Sequence, residues 1–366
     1  MTRLREALND LADEAPMVSL VDLAIAGHRR RRRTTRTVAA VAAVVVLLGA
    51  GTTAAALPWS WGDRTATPRG ADTVPDLPDG KVGLIGSAYQ TPCEVDDMAR
   101  RVDCSAVEWR VVTRAGTTYR VPQALVNTTK QRRVPVAISR DGRMLAYYSH
   151  QAQAHVVRDL MTGSEVTSPV TVKEERIGLG SMLVVSDDGR YVVFDPHVGS
   201  KEPGSLIDMH TGKTVQVPGK YEAVSVKDGV AELVRYIKTD LWLMPVTGGG
   251  APVRFPGTFI MFSELAPDGR TVAAVEFRDL KKRTLTLLDT KSGRTLRKVA
   301  IRGLPENGSL GGTSIWESGS EVTIAFSDTK GSKLIYAVDV RTGRLRQLAR
   351  YPGKFPRVTL PGAADR

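Results

Sequence analysis

Two short turn signatures alternate along most of this 366-residue chain, and they restrict its fold more than any other feature does. The first is an Asp-Gly pair placed before an apolar run. It occurs in ISRDGRMLAYYS from Ile138, VSDDGRYVVFD from Val185, SVKDGVAELV from Ser225 and LAPDGRTVAAVEF from Leu265. The pairs are Asp141-Gly142, Asp188-Gly189, Asp228-Gly229 and Asp268-Gly269, and WESGSEVTIAFS from Trp316 is a further copy marked by Gly319. The second signature, Asp-x-x-Thr/Ser-Gly, starts at Asp159, Asp208, Asp289 and Asp339 and ends at Gly163, Gly212, Gly293 and Gly343. MPVTG, ending at Gly248, fills the missing place with Met244 for Asp. Five units of about 36–51 residues result.

Each signature has a physical reading. An Asp side chain accepts bonds from nearby backbone N–H groups, and Gly takes the positive φ that a tight turn needs. The segments that follow, such as Met144 to Tyr148, Tyr191 to Phe194, Val272 to Val275 and Val322 to Phe326, are short and β-branched or aromatic, which predicts strands. KTVQV at Lys213 and RTLRKV at Arg294 predict further strands after the second turn. A unit therefore reads strand, Asp-Gly turn, strand, loop, strand, Thr-Gly turn, strand. Four antiparallel strands at this period describe a propeller blade, which buries its faces only against neighbouring blades. A solenoid of two-stranded units is the poorer fit, because each unit is long and carries two different turns. VGLIG at Val82, AVEWRVV at Ala106 and the following RAGTTYRV supply one more unit. The expected fold is therefore an all-β, six-bladed propeller over residues 81–362, and FPRVTLPG near the C-terminus is positioned to close the ring on the first blade.

The repeat resembles that of TolB-type, WD-like propellers, whose blades carry an S-x-D-G-R-x-aliphatic-A pattern. Ser139, Asp141, Gly142, Arg143 and Ala146 fit it best. Ser186, Asp188, Gly189 and Arg190 come next, then Asp268, Gly269, Arg270 and Ala273 with Ala266 in the serine place. The fourth and sixth units depart most. The resemblance covers about residues 130–350 and implies a fold, not a function, since propellers host unrelated activities.

A second region sets the compartment. Residues Val38 to Leu57 are uncharged, and twenty residues of helix at 1.5 Å each span about 30 Å, the thickness of a bilayer core. Arg29, Arg30, Arg31, Arg32, Arg33 and Arg36 flank one end, and Trp59 and Trp61 the other. Excess arginine stays cytoplasmic and tryptophan favours the interface, so the expectation is a transmembrane helix at 37–58 with the N-terminus inside. A cleaved export signal competes, because Ala54 and Ala56 form a small-x-small pair. The arginine run lacks interleaved aromatics, so no nucleic-acid partner is expected.

Residues 1–36 form the expected cytoplasmic segment. Leu4, Leu8, Leu11 and Ala15 share a helical face, and Ser19 caps a second short stretch carrying Leu20, Leu23 and Ala24. Helices this short are marginal alone, so the segment is either a partly disordered tail or the contact for a cytoplasmic protein. Leucine-patterned segments followed by an arginine run and one span resemble the N-termini of actinobacterial anti-sigma factors. That resemblance covers the first 60 residues and implies a sigma factor as the regulator held there. The chain lacks the zinc-binding His/Cys signature that many such proteins carry.

Residues 59–80, rich in Pro, Gly, Asp and Thr, read as a linker. Cys93 and Cys104 follow, and they are the only two cysteines. Outside the membrane such a pair is expected to form a disulfide. The net charge is +12, of which residues 1–36 carry +3, so the body is basic as well. A basic body suits acidic partners such as anionic wall polymers, although spare arginine on a solvated face explains it equally.

Catalytic signatures are absent from the sequence: no G-x-S-x-G, H-E-x-x-H, P-loop or G-x-G-x-x-G occurs. His150 and His155 read as exposed residues of one polar loop, and the repeated Asp residues as turn formers, not calcium ligands. Trp109, Trp242 and Trp316 read as blade packing, with sugar stacking as the alternative. Asn127 and Asn307 begin N-x-[ST] triplets. No cofactor or metal is expected. The leading expectation is a non-enzymatic, membrane-anchored binding or sensing propeller whose ligand is an envelope protein, peptide or wall polymer. The alternatives are an extracytoplasmic hydrolase or lyase, and a secreted TolB-like partner in envelope assembly.

Overall fold

The structure is a computed structural model that describes residues 74–96, 101–353 and 358–364. Blade one holds β1 (Ile85–Gln90), and the chain then leaves the sheet as a separate ribbon, β2 (Glu94–Asp96) with β3 (Arg101–Asp103), before β4 (Trp109–Thr113) and β5 (Thr118–Arg120). Blade two is β6 (Ala137–Ile138), β7 (Met144–Ser149), β8 (Ala154–Asp159) and β9 (Glu165–Thr171). Blade three is β10 (Met182–Val185), β11 (Tyr191–Asp195), β12 (Gly204–Asp208) and β13 (Thr214–Val217). Blade four is β14 (Glu222–Lys227), β15 (Val230–Arg235), β16 (Asp240–Pro245) and β17 (Val253–Arg254). Blade five is β18 (Phe259–Ile260), β19 (Thr271–Glu276), β20 (Thr284–Asp289) and β21 (Thr295–Ala300). Blade six is β22 (Ser309–Ser318), β23 (Glu321–Ser327), β24 (Lys333–Asp339) and β25 (Leu345–Tyr351).

The ring closes where the sequence places its last apolar stretch. β26 (Val358–Thr359) pairs antiparallel with β1, Ala88 opposite Thr359 and Tyr89 opposite Val358. The first blade thus takes its innermost strand from the C-terminus. Five buried clusters lie between consecutive blades and form the core. One joins Leu145 and Tyr147 to Ile85 and Val111, for example, and another joins Val275 and Leu285 to Trp316 and Phe326. Burial is thus nearest-neighbour, as the repeat requires. Residues preceding β1 pack on blade one as well: Leu77 is buried, and its N–H donates to the Arg120 carbonyl.

Both signatures sit on one face of the ring, because each joins a pair of adjacent antiparallel strands. The Asp-Gly turn links first to second strand, and the Thr-Gly turn links third to fourth. Asp141 accepts from the Arg143 N–H and the Ser139 hydroxyl, and Asp188 repeats this with Arg190 and Ser186. Asp268 accepts from the Arg270 and Thr271 N–H groups, and Asp228 itself adopts a positive φ of 50° before Gly229. Gly142, Gly189 and Gly269 also lie at positive φ.

The Thr-Gly turns have a second task. A Cβ on Gly343 would collide with the Ala300 carbonyl oxygen of blade five, and one on Gly293 with the Arg254 carbonyl of blade four. Gly163 abuts Asp79 and Gly80, Gly212 abuts Pro169, and Gly248 abuts Val215. Each glycine presses its turn onto the outer part of the preceding unit.

The two signatures are also tied to each other. The arginine after Asp-Gly pairs with the aspartate that opens the second signature: Arg143 with Asp159 at 2.6 Å, Arg190 with Asp208 at 3.0 Å, Arg270 with Asp289 at 2.5 Å. In blade four the Asp-Gly turn is shorter, with Lys227 directly opposite Val230 and no arginine after it, and Pro245 takes the aspartate's place opposite Val230. Losing both members avoids leaving one charge unpaired on a crowded turn.

Cys93 and Cys104 form a disulfide, with Cα atoms 4.4 Å apart, at the root of the β2–β3 ribbon. The two strands of the ribbon are a structural addition that the sequence did not announce. No helix among the described residues is long and apolar enough to cross a membrane. The run at 37–58, its flanking Arg29–Arg33, Arg36, Trp59 and Trp61, and the segment 1–36 lie outside the described residues.

One histidine expectation is overturned. His150 is an exposed loop residue, but His155 lies on β8 and is 1% exposed, its ring packed between Tyr148 and Phe194. Burial holds its pKa down at about 4, so it is neutral at physiological pH. β8 begins at Ala154, directly after Gln153, and is buried on both faces, so His155 belongs to the strand and not to the polar loop before it.

Candidate functional site

Two regions gather polar groups, one at the axis and one between blades one and two. At the axis the Asp-Gly turns converge. Arg140 of blade two reaches across the ring: its Nε donates to Glu264 at 2.8 Å and its Nη2 to the Trp316 carbonyl at 2.5 Å. The Arg140 N–H donates to Asp187, whose carboxyl burial pushes upward in pKa. Glu264 also accepts from the Trp316 N–H at 2.9 Å, and the Trp316 indole donates to Ser263 Oγ and to the Glu264 carbonyl. The Gly362 N–H donates to the Ile138 carbonyl, and Gly362 and Ala363 line the same place. What is left is a cavity of about 20 Å³, room for about one water molecule.

Glu232 lies beside this cluster and belongs to it by contact. By strand pairing it occupies a place on β15 that is Ala146, Val193, Ala273 and Thr323 in blades two, three, five and six. It is 2% exposed, it accepts from Ser225 Oγ and the Leu265 N–H, and its Oε1 has no partner among the described residues. Burial pushes its carboxyl up to about 8, so at neutral pH it is mostly protonated. The axis is thus a network that ties blades two to six together.

The second region is open. A groove of about 890 Å³ runs between blades one and two, from the loops beside the disulfide towards the outer strand β9. Cys104 and Ser105 form one wall, and the connection from blade one to blade two, including Gln123 and Asn127, forms another. The loop at Gln151 and the side of β9 at Glu165 and Thr167 complete it. Three residues of blade two support this wall. Arg158 is 2% exposed, yet its guanidinium Nη1 donates to Glu165 Oε1 at 3.2 Å and its Nη2 to the Pro78 carbonyl. The Tyr147 hydroxyl donates to the same Oε1 at 3.2 Å, and burial raises the phenol pKa well above its usual value.

Sequence reasoning passed over these three residues, although the repeat contained the signal. By strand pairing, Arg158 stands where the other blades have the apolar Val112, Ile207, Met244, Leu288 and Val338. A cation in an apolar position, five times contradicted by its own repeat, is the departure to look for. The expected site residues are placed otherwise. The turn residues stay in turns, and Cys104 of the disulfide borders the groove. Trp109 and Trp316 are buried between blades, while Trp242 is half-buried. Among the described residues no group of His, Cys, Asp and Glu is arranged to hold a metal ion.

No protein-family model matches the sequence. No curated protein matches it either. Some solved structures are distantly similar. TolB from Acinetobacter baumannii is 18% identical with a TM-score of 0.49, over 76% of this chain and 65% of that one. The dihydro-heme d1 dehydrogenase NirN is 16% identical with a TM-score of 0.42, over 78% and 57%. A prolyl endopeptidase is 12% identical with a TM-score of 0.45, over 75% and 43%. The chain therefore spans less than two thirds of each of these proteins, whose functions differ. Likenesses this distant carry no argument about function, and the strand pairing of the chain itself makes it a six-bladed β-propeller.

Proposed function

We propose that this chain is a binding propeller that works outside the cytoplasm, tethered by the apolar run at 37–58. The observation that carries the binding reading is the contrast between its two polar regions. The axis is filled by its own Arg140, Glu264 and Trp316, while the groove between blades one and two stays open beside a stapled loop. A hydrolase or lyase reading needs ionisable groups that converge on open space, and the groups that converge here bind one another. The extracytoplasmic reading rests on the Cys93–Cys104 bridge together with the arginine flank of the apolar run. Residues 1–36 would then face the cytoplasm, where an apolar helix face suits a regulator such as a sigma factor.

A secreted partner in envelope assembly is the second reading, and Ala54 and Ala56 favour it as a cleavage site. The bridge serves a cleaved chain equally well. Mass analysis of the mature N-terminus separates the two: an intact start supports the tether, and a start near Leu57 removes it. Affinity capture with residues 1–36 as bait tests the regulator, and retention of no cytoplasmic protein would end that part. Export is tested by thiol labelling of the full chain made in cells. Cys93 and Cys104 should resist alkylation until a reductant is added, and free thiols in the native protein would count against the compartment.

A further inference from the structure

We propose that the groove between blades one and two binds a neutral, polyhydroxylated chain, a saccharide segment, with Glu165 as its fixed acceptor. This rests on the binding reading and narrows it to one site and one ligand class.

The argument starts from charge. The chain holds 51 lysines and arginines, yet the groove lining contains none of them. Its carboxylate, Glu165, is balanced from behind by the buried Arg158. The groove therefore carries little net field, and an anionic polymer would meet a carboxylate with no facing cation. The donor set comes next. Side-chain amides at Gln123, Asn127, Gln131 and Gln151 line the space with hydroxyls at Ser105 and Thr167. Each amide offers donors and an acceptor together, which is what adjacent hydroxyl groups on a sugar ring demand. The volume of about 890 Å³ is in the range that holds drug-sized ligands, and hence a few rings.

Glu165 is built into place. Arg158 Nη1 and the Tyr147 hydroxyl both hold Oε1, and Oε2 is engaged by no described residue, so it is free to accept from a ligand. The supporting trio has no counterpart in the repeat. Arg158 replaces an apolar residue, Tyr147 stands where blades three to six have Phe194, Leu233, Ala274 and Ile324, and Glu165 where blades three, five and six have Thr214, Thr295 and Leu345. Burying a guanidinium is expensive when an apolar side chain does the packing five times over. Its Nε even lacks a partner among the described residues. The arrangement makes sense if it aims Glu165 into the groove. An extended peptide is the poorer occupant: it would add to the free edge of β9, where Pro169 has no N–H to offer. The lining presents no open aromatic face, since Tyr147 is buried, so affinity rests on hydrogen bonds and falls in the millimolar range.

The test is ligand-observed NMR titration of the full chain in nanodiscs with three probes: a chitohexaose, a polyphosphate and a Gly-Lys repeat peptide. Chitohexaose should bind, and Glu165→Ala and Arg158→Leu should each weaken it by about tenfold. Arg158→Leu restores the residue type of the other blades, so its melting temperature should equal or exceed that of the parent. That separates aiming from folding. Gln123→Ala, on an exposed loop, should weaken binding with the fold untouched. Absence of chitohexaose binding overturns the ligand class, as does polyphosphate or peptide binding that Glu165→Ala weakens. In that last case the groove is still a binding site, and the broader binding reading survives. Chitohexaose binding that ignores both Glu165→Ala and Arg158→Leu overturns the site.

Discussion

Glu232 shows how one residue sets a pH limit for the ring. Its carboxyl is held as the acid up to about pH 8, whereas in an unfolded chain it ionises near 4.5. The folded state thus binds a proton that the unfolded state has released. That contribution to stability is fully present below about 4.5 and is lost as pH rises through about 8. Asp195, which burial raises to about 6, acts in the same direction over a narrower window. Glu232→Gln should therefore raise the melting temperature at pH 8 and flatten its decline between pH 5 and pH 8. A melting curve series across that range checks it, and an unchanged slope would mean that Glu232 is ionised in the fold. The acidic limb belongs to another carboxylate. Arg143 holds Asp159 down at about 2, so that pair contributes above about 3.8 and is lost as pH falls through about 2. None of this was readable from the Glu232 neighbourhood, AELV, where a glutamate in a strand normally faces water. Only the pairing of the strands places it among the buried Ala146, Val193, Ala273 and Thr323.

At the scale of elements, the Thr-Gly turn does more than reverse the chain. Gly343 sits at φ 74° and touches blade five, so a side chain there faces both backbone strain and the Ala300 carbonyl. Gly343→Ala should destabilise the propeller by about 2–4 kcal/mol, more than strain at an open turn would give. Gly229, also at positive φ but with open space around it, is the control: Gly229→Ala should lose only about 1 kcal/mol. Chemical denaturation of the two variants decides this, and equal losses would mean that the contact with blade five contributes nothing. The turns were legible because Asp and Gly announce them locally. The β2–β3 ribbon was not, since three-residue strands flanked by charges, EVD and RVD, have no period to detect. The same holds for the groove, whose walls come from three separate stretches that only the ring brings together.

At the scale of the whole molecule, closure depends on β26. Without it β1 is an open edge and blade one has three strands. Removing residues 358–366 should turn a cooperative unfolding transition into a broad one and should promote association through β1. Light scattering after size exclusion, with amide exchange at Ala88 and Tyr89, checks both, and a sharp transition in a monodisperse truncation would show that the ring is held by its blade interfaces alone. The number of blades and the strand that closes them followed from counting the repeat. The filled axis did not, because the contacts of Arg140 with Glu264 and Trp316 link residues more than a hundred positions apart.

The same strand fixes a schedule. β26 follows every other described strand of the ring, so the seam forms only after the other strands of all six blades have been made. Until those residues are delivered, five blades can stack in order while the first waits with its inner edge bare. During export or synthesis the nascent propeller therefore passes through an interval in which an exposed strand edge competes for a partner, and the arrival of β26 brings that interval to an end.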